Sequence, residues 1–394
     1  MRHRMPWHVV VPIVGLLPAA ACHTGSLDPG PEAYEYRVPE VTGDGWETAS
    51  LADVGMAEAP LVRLMNDLRG MQDHLVHGIV VVRHRKLVFE EYFPGLMFSL
   101  ARYTGGVGFD RDDAHNLASV TKSITTTLFG IALDRGLIPS VAEPVFDYFP
   151  EHADLLREDP RRADMTLEHL MTMTSGIAWN DETIPYSDPR NDLVRMFTSE
   201  DPIRYALATP LYATPGTDFE YCNANTNILG EVIRRAAGQR LDDFAADYLF
   251  SPLGIVVHEW QMVSEPRGVV FASGDLRLRP RDMAKIGQLF LERGSWRGRE
   301  VVSPEWVAAA TARRVTPDGP HAWADGYGYG WWHWDLSYGE AVHHAYMAAG
   351  WGGQWIVVLP EDDVVFVATG GSYFDAAPLP AERMLTEYVL RALP

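Results

Sequence analysis

The chain has 394 residues, with 33 Lys or Arg against 53 Asp or Glu and a formal charge of −20. That balance excludes the basic surface of a nucleic-acid binder. A hydrophobic fraction of 47% excludes a disordered chain, and only 2 cysteines exclude a disulfide framework. Lysine is scarce: Lys86, Lys122 and Lys285 are the only ones, and every other basic residue is arginine. Arginine does not lose its proton in a protein, so a basic group that must exist uncharged has to be sought among these three.

The N-terminus has Arg2 and Arg4, an apolar run from Val9 to Leu17, and then Pro18-Ala19-Ala20-Ala21-Cys22. Basic start, short apolar core and small-residue cleavage site read as a secretory signal peptide over residues 1–21. The run is too short for a membrane span, which needs about 20 apolar residues. Cys22 after three alanines resembles the lipid-acceptor site of a bacterial lipoprotein, although Ala19 stands where Leu is usual. Export from a bacterial cytoplasm is expected, to the periplasm as a lipoprotein anchored through Cys22 or alternatively as a secreted protein. Residues 22–50, rich in Gly, Pro and acids, read as a tether or extended lead-in.

Residues 78–93 read as a hairpin, with the β-branched run Ile79 to Val82, a polar turn holding Lys86, and a second strand through Leu87-Val88-Phe89. Residues 104–108 are glycine-rich, lack phosphate-loop spacing and read as a loop. Ser119 to Leu133 has helical periodicity, and Gly136 supplies a stop. Helices follow over 166–173, 225–239 and 241–250. Residues 281–294 form another, on which Lys285 beside Asp282 reads as a surface charge. Strands return from Tyr327 to Trp334, Gln354 to Leu359 and Val364 to Ala368, before a closing helix from Ala381 to Leu393. The pattern is α+β: an antiparallel sheet flanked by helices, built from both chain ends (about 51–115 and 266–394), with an all-α region (about 116–265) inserted, in one domain over 51–394.

Ser119-Val-Thr-Lys122 is where the chemistry concentrates. On a helix, residues three apart share a face. A serine hydroxyl becomes a nucleophile when a neighbouring base takes its proton, and a lysine is that base only when burial or nearby positive charge lowers its pKa. On spacing alone, a helix-starting serine beside a solvated lysine explains the pair almost as well. Context favours chemistry. Tyr221 lies in Tyr-Cys-Asn223, and a phenol beside an ammonium has its phenolate favoured, so it can share proton transfer. The Asn223 amide is suited to donate to a substrate carbonyl and accept from the lysine. In Ala348-Ala-Gly350-Trp351-Gly-Gly-Gln354, glycines admit a substrate against a strand, and the N–H after Gly350 forms an oxyanion hole with that of Ser119. Cys222 reads as a small buried filler.

With these three motifs in order, residues 50–394 resemble the serine beta-lactamase and penicillin-recognising hydrolase family, of the class C type that includes esterases and 6-aminohexanoate-dimer hydrolase. The resemblance implies a beta-lactamase/transpeptidase-like fold and an acyl-enzyme on Ser119. It also implies Lys122 and Tyr221 as proton relay, Asn223 as amide contact, and Gly350 and Trp351 at the oxyanion site. One departure is plain: Ala348 stands where the family typically has a lysine or histidine for a substrate carboxylate. His343 and His344 upstream are candidate substitutes, although a packed or exposed histidine is the plainer reading. The expected substrate is therefore a small ester or amide. The alternatives are a beta-lactamase or D-alanyl carboxypeptidase, and a non-catalytic module that binds cell-wall fragments. The six tryptophans from Trp323 to Trp355 are candidates for an apolar acyl pocket, with core packing accounting for most, and Tyr186 is a candidate gate. No metal, cofactor or nucleic-acid partner is expected.

Overall fold

The computed structural model describes residues 33–394 apart from 72, 100–101 and 265–267. The expected signal peptide over residues 1–21 and Cys22 lie outside the described residues.

The fold is α+β. An eight-stranded sheet runs in the order β1-β3-β2-β8-β7-β6-β5-β4. Its strands are β1 (Glu47–Thr48), β2 (Val76–Arg83), β3 (Lys86–Tyr92), β4 (Gly326–Tyr327), β5 (Trp332–Tyr338), β6 (Ala341–Gly350), β7 (Gln354–Leu359) and β8 (Val364–Gly370). All neighbours pair antiparallel except β1 with β3. The two chain ends meet in the β2–β8 pairing, where Val81 lies opposite Phe366.

Apolar side chains leave both faces of the central strands. Val80, Val82, Ile356 and Val365 enter one core, while Ile79, Val81, Val357 and Phe366 enter the other. A period of two sends alternate residues to opposite layers, so a strand covered on both sides is apolar throughout. Helix α1 (Glu58–Gly70) and the closing helical segments cover the second face. α1 was not among the expected elements, yet Leu61, Leu64, Met65 and Leu68 carry its apolar stripe. On the first face lie α2 (Val120–Asp134), α3 (Asn223–Ala237) and α4 (Pro280–Leu291). α2 is buried from Val120 to Ala132, more than the one-sided stripe expected. It is the central post, in contact with α3 and with β6 and β7.

Three further expectations need correction. Residues 104–108, read as a loop, fall mostly in strand Arg102–Val107, which pairs with Gly95–Ser99. Partner backbone rather than side-chain propensity makes that strand. Lys285, read as a surface charge, is fully buried, its ammonium 2.8 Å from Asp282 and 3.2 Å from the Gly254 carbonyl. α4 sinks against the sheet at Gly287, where a Cβ would meet Val365 at 2.5 Å. Of the two readings of the lead-in, residues 33–50 keep the extended course, but they dock on the fold rather than act as a tether. Tyr34 and Trp46 are buried, and the Trp46 indole donates to the Arg281 carbonyl at 3.1 Å. Lys86 does begin β3 at the hairpin turn, as expected.

Candidate active site

Ser119 is the N-cap residue of α2, where a serine side chain ordinarily accepts from the backbone N–H groups of the first turn. Here it makes no capping bond. Its hydroxyl accepts instead from Lys122 Nζ at 2.8 Å. Lys122 is 1% exposed, and its second bond is to the Ser273 carbonyl at 2.9 Å. Burial pulls its pKa from the ordinary lysine value to about 7, against the opposing pull of Asp181, Glu182 and Cys222. A solvated lysine beside a capping serine is therefore excluded by two observations. The hydroxyl is not spent on the helix, and the amine is neither solvated nor fixed in charge.

The Tyr221 ring centroid lies 4.9 Å from Lys122 Nζ. The expected lysine-favoured phenolate is not what the environment produces. Burial drives the phenol well above 10, with Tyr327 in the same direction and a hydrogen bond with Ser119 opposing. Tyr221 is thus a neutral phenol throughout the working range. Its ring is held by Trp332 at 5.4 Å and His321 at 5.0 Å.

Asn223 opens α3 beside them. Its Nδ2 donates to Asp181 Oδ2 at 2.5 Å, so one of its two N–H groups is committed to a carboxylate rather than left for substrate. Its main-chain carbonyl accepts from Asn227 Nδ2, which also donates to the Ser273 hydroxyl at 2.9 Å. Ser273 therefore joins α3 to Lys122.

Gly350 ends β6 directly against the Ser119 turn. A Cβ there would lie 2.4 Å from the Leu117 carbonyl and 3.1 Å from the Ser119 nitrogen. The turn itself is strained: Ala118 has φ +44, a conformation an alanine rarely adopts. Asn116 holds it, its Oδ1 accepting from the Ala118 N–H at 2.8 Å while its Nδ2 donates to Asp275. Ser119 and Asn223 open on a small cleft that Tyr186, Trp351 and Tyr373 also line. The Tyr186 and Tyr373 rings lie 5.6 and 5.2 Å from Trp351, with Phe374 exposed at the rim.

The three motifs thus converge as the sequence implied. The histidines do not. His343 pairs with Asp362 and His344 with Asp335. At about 3.3 Å per residue along β6, His344 is roughly 20 Å from Gly350. Ala348 is fully buried in the core, so no cation stands at its position. Of the six tryptophans only Trp351 lines the cleft. Trp331 is core, and Trp323, Trp332, Trp334 and Trp355 stack on one another. Cys222 is a buried filler whose thiol burial pushes well above 9. Asp181, Asn116, Ser273 and Asp275 were missed, and no local sequence signal marks them. Among the described residues no group of three His, Cys, Asp or Glu is placed to hold a metal ion.

Comparison with known proteins decides the family: the beta-lactamase family model matches residues 61–372. The chain belongs to the beta-lactamase family. The 6-aminohexanoate-dimer hydrolase of Paenarthrobacter ureafaciens is 28% identical over 314 residues, 75% of this chain and 74% of the relative. The lovastatin esterase of Penicillium rubens is 29% identical over 206 residues, 46% of this chain and 48% of the relative. The octameric penicillin-binding protein homologue from Pyrococcus abyssi superposes with a TM-score of 0.62 at 20% identity, covering 84% of this chain and 75% of that one. That likeness shows the fold. Within the beta-lactamase family this chain is a serine hydrolase.

Proposed function

We propose that the chain is an exported hydrolase of a small, uncharged ester or amide, working through an acyl-enzyme on Ser119. The observation that carries this is the buried, low-pKa Lys122 amine 2.8 Å from a serine hydroxyl that caps nothing. In its uncharged form the amine keeps a donor for the Ser273 carbonyl and turns its lone pair to the Ser119 hydroxyl.

Ser119 Oγ attacks the substrate carbonyl carbon, and its proton passes to Lys122 Nζ. Negative charge gathers on the former carbonyl oxygen, which the N–H groups of Ser119 and Trp351 receive. Such a donor is worth about 10²- to 10³-fold in kcat, and a positioned base about 10²- to 10⁴-fold. The neutral Tyr221 phenol gives its proton to the departing oxygen or nitrogen and is reprotonated from Lys122. The carbon–leaving-group bond breaks, leaving the acyl ester on Ser119. Water then attacks that ester as Lys122 takes its proton; Lys122 hands that proton to the departing Ser119 oxygen, so the acid leaves with the serine hydroxyl and the uncharged amine restored. Asn223 contacts the substrate amide or ester through its remaining N–H.

The substrate class follows from the walls. With alanine at 348 and an aromatic rim of Tyr186, Trp351 and Phe374, the cleft suits a neutral, partly apolar acyl group rather than a carboxylate. Tyr186, packed against Trp351 at 5.6 Å, is the candidate for a gate over it. The test is a panel of p-nitrophenyl esters, a linear amide and a chromogenic cephalosporin with the purified protein. Turnover of the ester or amide well above the cephalosporin is expected. Faster cephalosporin turnover would mean a beta-lactamase, and a stable adduct with no turnover a binding module. Export rests on the N-terminal pattern, and the N-terminal residue and mass of the mature protein check it. A chain beginning at Cys22 with added acyl mass is expected for the anchored form.

A further inference from the structure

Asp181 sits two residues after the buried Trp179 in the loop leading to helix Asp192–Thr198, and it is 2% exposed. It is held from behind. Its main-chain carbonyl accepts from Asn191 Nδ2 at 3.0 Å, and Asn191 is the N-cap of that helix, its Oδ1 accepting from the Leu193 and Val194 N–H groups. Its carboxylate faces the site. Oδ2 accepts from Asn223 Nδ2 at 2.5 Å. An ionised carboxylate only accepts, so it admits only the nitrogen end of the Asn223 amide. The carbonyl end and one N–H are thereby turned elsewhere, and the side chain is left in one orientation.

The charge of the same carboxylate also acts on Lys122, through space rather than through an ion pair. The ammonium faces the Ser119 hydroxyl on its own helix, the Ser273 carbonyl, the Tyr221 ring and Cys222 ahead of α3, and Asp181 and Glu182 from the loop. Asp181 in turn faces Asn223, the Trp179 indole, Glu182 and Lys122. Of the two acids, Glu182 is exposed and paired with His321 at 3.0 Å, so solvent screens it. Asp181 is not screened. Burial raises its own pKa, opposed first by hydrogen bonds from the Trp179 indole and Asn223 and last by the Lys122 charge.

We propose that Asp181 is a positioning residue of this site: from its buried place behind the cleft it fixes the orientation of the Asn223 amide, and its charge acts on the Lys122 amine. The inference rests on the reading of Ser119 and Lys122 as nucleophile and base. Without the carboxylate the amine loses its proton at lower pH. The base is then ready sooner but weaker, so a lower plateau accompanies an earlier rise.

The experiment is the pH profile of kcat/KM for D181N, D181A and E182Q, joined to a direct titration of Lys122. With only three lysines in the chain, ¹³Cε-lysine labelling gives three resonances, which single Lys→Arg variants assign. D181N keeps a hydrogen bond to Asn223 and removes the charge. Its rising limb and its Lys122 titration are expected to move together to lower pH by about one unit, a tenfold change in proton affinity. D181A, which also strands the Asn223 amide, is expected to add a severalfold rise in KM, while E182Q moves the limb less than D181N. A D181N profile and Lys122 titration superimposable on wild type would overturn the proposal, whatever happened to kcat. If D181N does not fold, the wild-type Lys122 resonance decides. A second inflection from the Asp181 carboxyl is expected on its curve, and a single inflection would overturn the proposal. Failure of the underlying reading appears separately, as a wild-type protein whose Ser119 takes no acyl group.

Discussion

Replacing Gly350 by alanine tests the closest backbone approach in the site. The added Cβ would lie 2.4 Å from the Leu117 carbonyl oxygen and 3.1 Å from the Ser119 nitrogen, where ordinary contact begins at 3.4 Å. Both neighbours are backbone atoms of a turn pinned by Asn116 and by the start of α2, so neither can swing aside. The end of β6 must therefore retreat by about 1 Å, carrying the Trp351 N–H away from the Ser119 N–H. A misplacement of that size costs about 10²-fold, and full loss of one oxyanion donor about 10²- to 10³-fold. Crowding of this kind destabilises by about 1–3 kcal/mol. The assay is kcat and KM on the best ester from the panel, with a urea unfolding curve alongside. Gly287→Ala is the control: its Cβ also collides, with side-chain methyls of Val365 at 2.5 Å and Ile356 at 2.9 Å, but between α4 and the sheet. It should lose stability and keep kcat. A folded G350A protein with kcat within about threefold of wild type would refute the assignment of the oxyanion site to this strand end.

Asn116→Ala orphans the Ala118 N–H, costing about 1–3 kcal/mol, removes one donor from the Asp275 carboxyl and releases the strained Ala118 turn. Stopped kinetics should show kcat falling at least tenfold with KM held, and unchanged kcat would remove Asn116 from the positioning of Ser119. Arg281 is 2% exposed and bonds Glu90, Asp44, Thr42 and the Glu40 carbonyl, so Arg281→Ala leaves two carboxylates without their cation. A loss of about 3–5 kcal/mol in urea titration is expected, with new protease cleavage near residues 40–46; resistance equal to wild type would mean that segment docks by other contacts. The His77–His115 pair, 2.9 Å apart, is buried neutral, with pKa values lowered by burial to about 3 and about 4. Both folded values lie below the unfolded one, so the unfolded chain binds the extra protons and stability falls as pH drops from 6.5 towards 4. Each histidine contributes a loss of about 1.4 kcal/mol per pH unit in that window. His77→Gln should flatten the urea-midpoint decline between pH 6.5 and 4.5, and an unchanged slope would show that the pair does not titrate as described.

What the sequence made legible was local or carried by a motif. Ser119 and Lys122 lie within one helical turn, so spacing alone put them on a common face, and burial was implied by the apolar run of α2. Tyr221, Asn223 and Gly350 reached the site through their motifs, and the distances bring all three to Ser119. The residues that hold this core in place were invisible because they arrive by chain closure. Asp181 meets Asn223 across 42 positions, Ser273 meets Lys122 across 151, and Asp275 meets Asn116 across 159. Lys285 failed for another reason. An Asp–Lys pair three apart on a helix has the same sequence whether it faces water or a sheet, and here Gly287 lets the helix sink until the pair is enclosed. The phenolate expected of Tyr221 failed because adjacency to an ammonium was weighed without desolvation, which is the larger effect at this depth. The lysine count keeps its use: two of the three are a turn charge and a buried structural pair, and the third is the one amine bonded to a serine hydroxyl.

The central claim is that Ser119 forms the acyl-enzyme, and peptide mass mapping after reaction with a fluorophosphonate tests it most directly. One adduct is expected, on the peptide containing Ser119, with none in Ser119→Ala. An adduct on a different serine, or labelling that survives the substitution, would contradict the account.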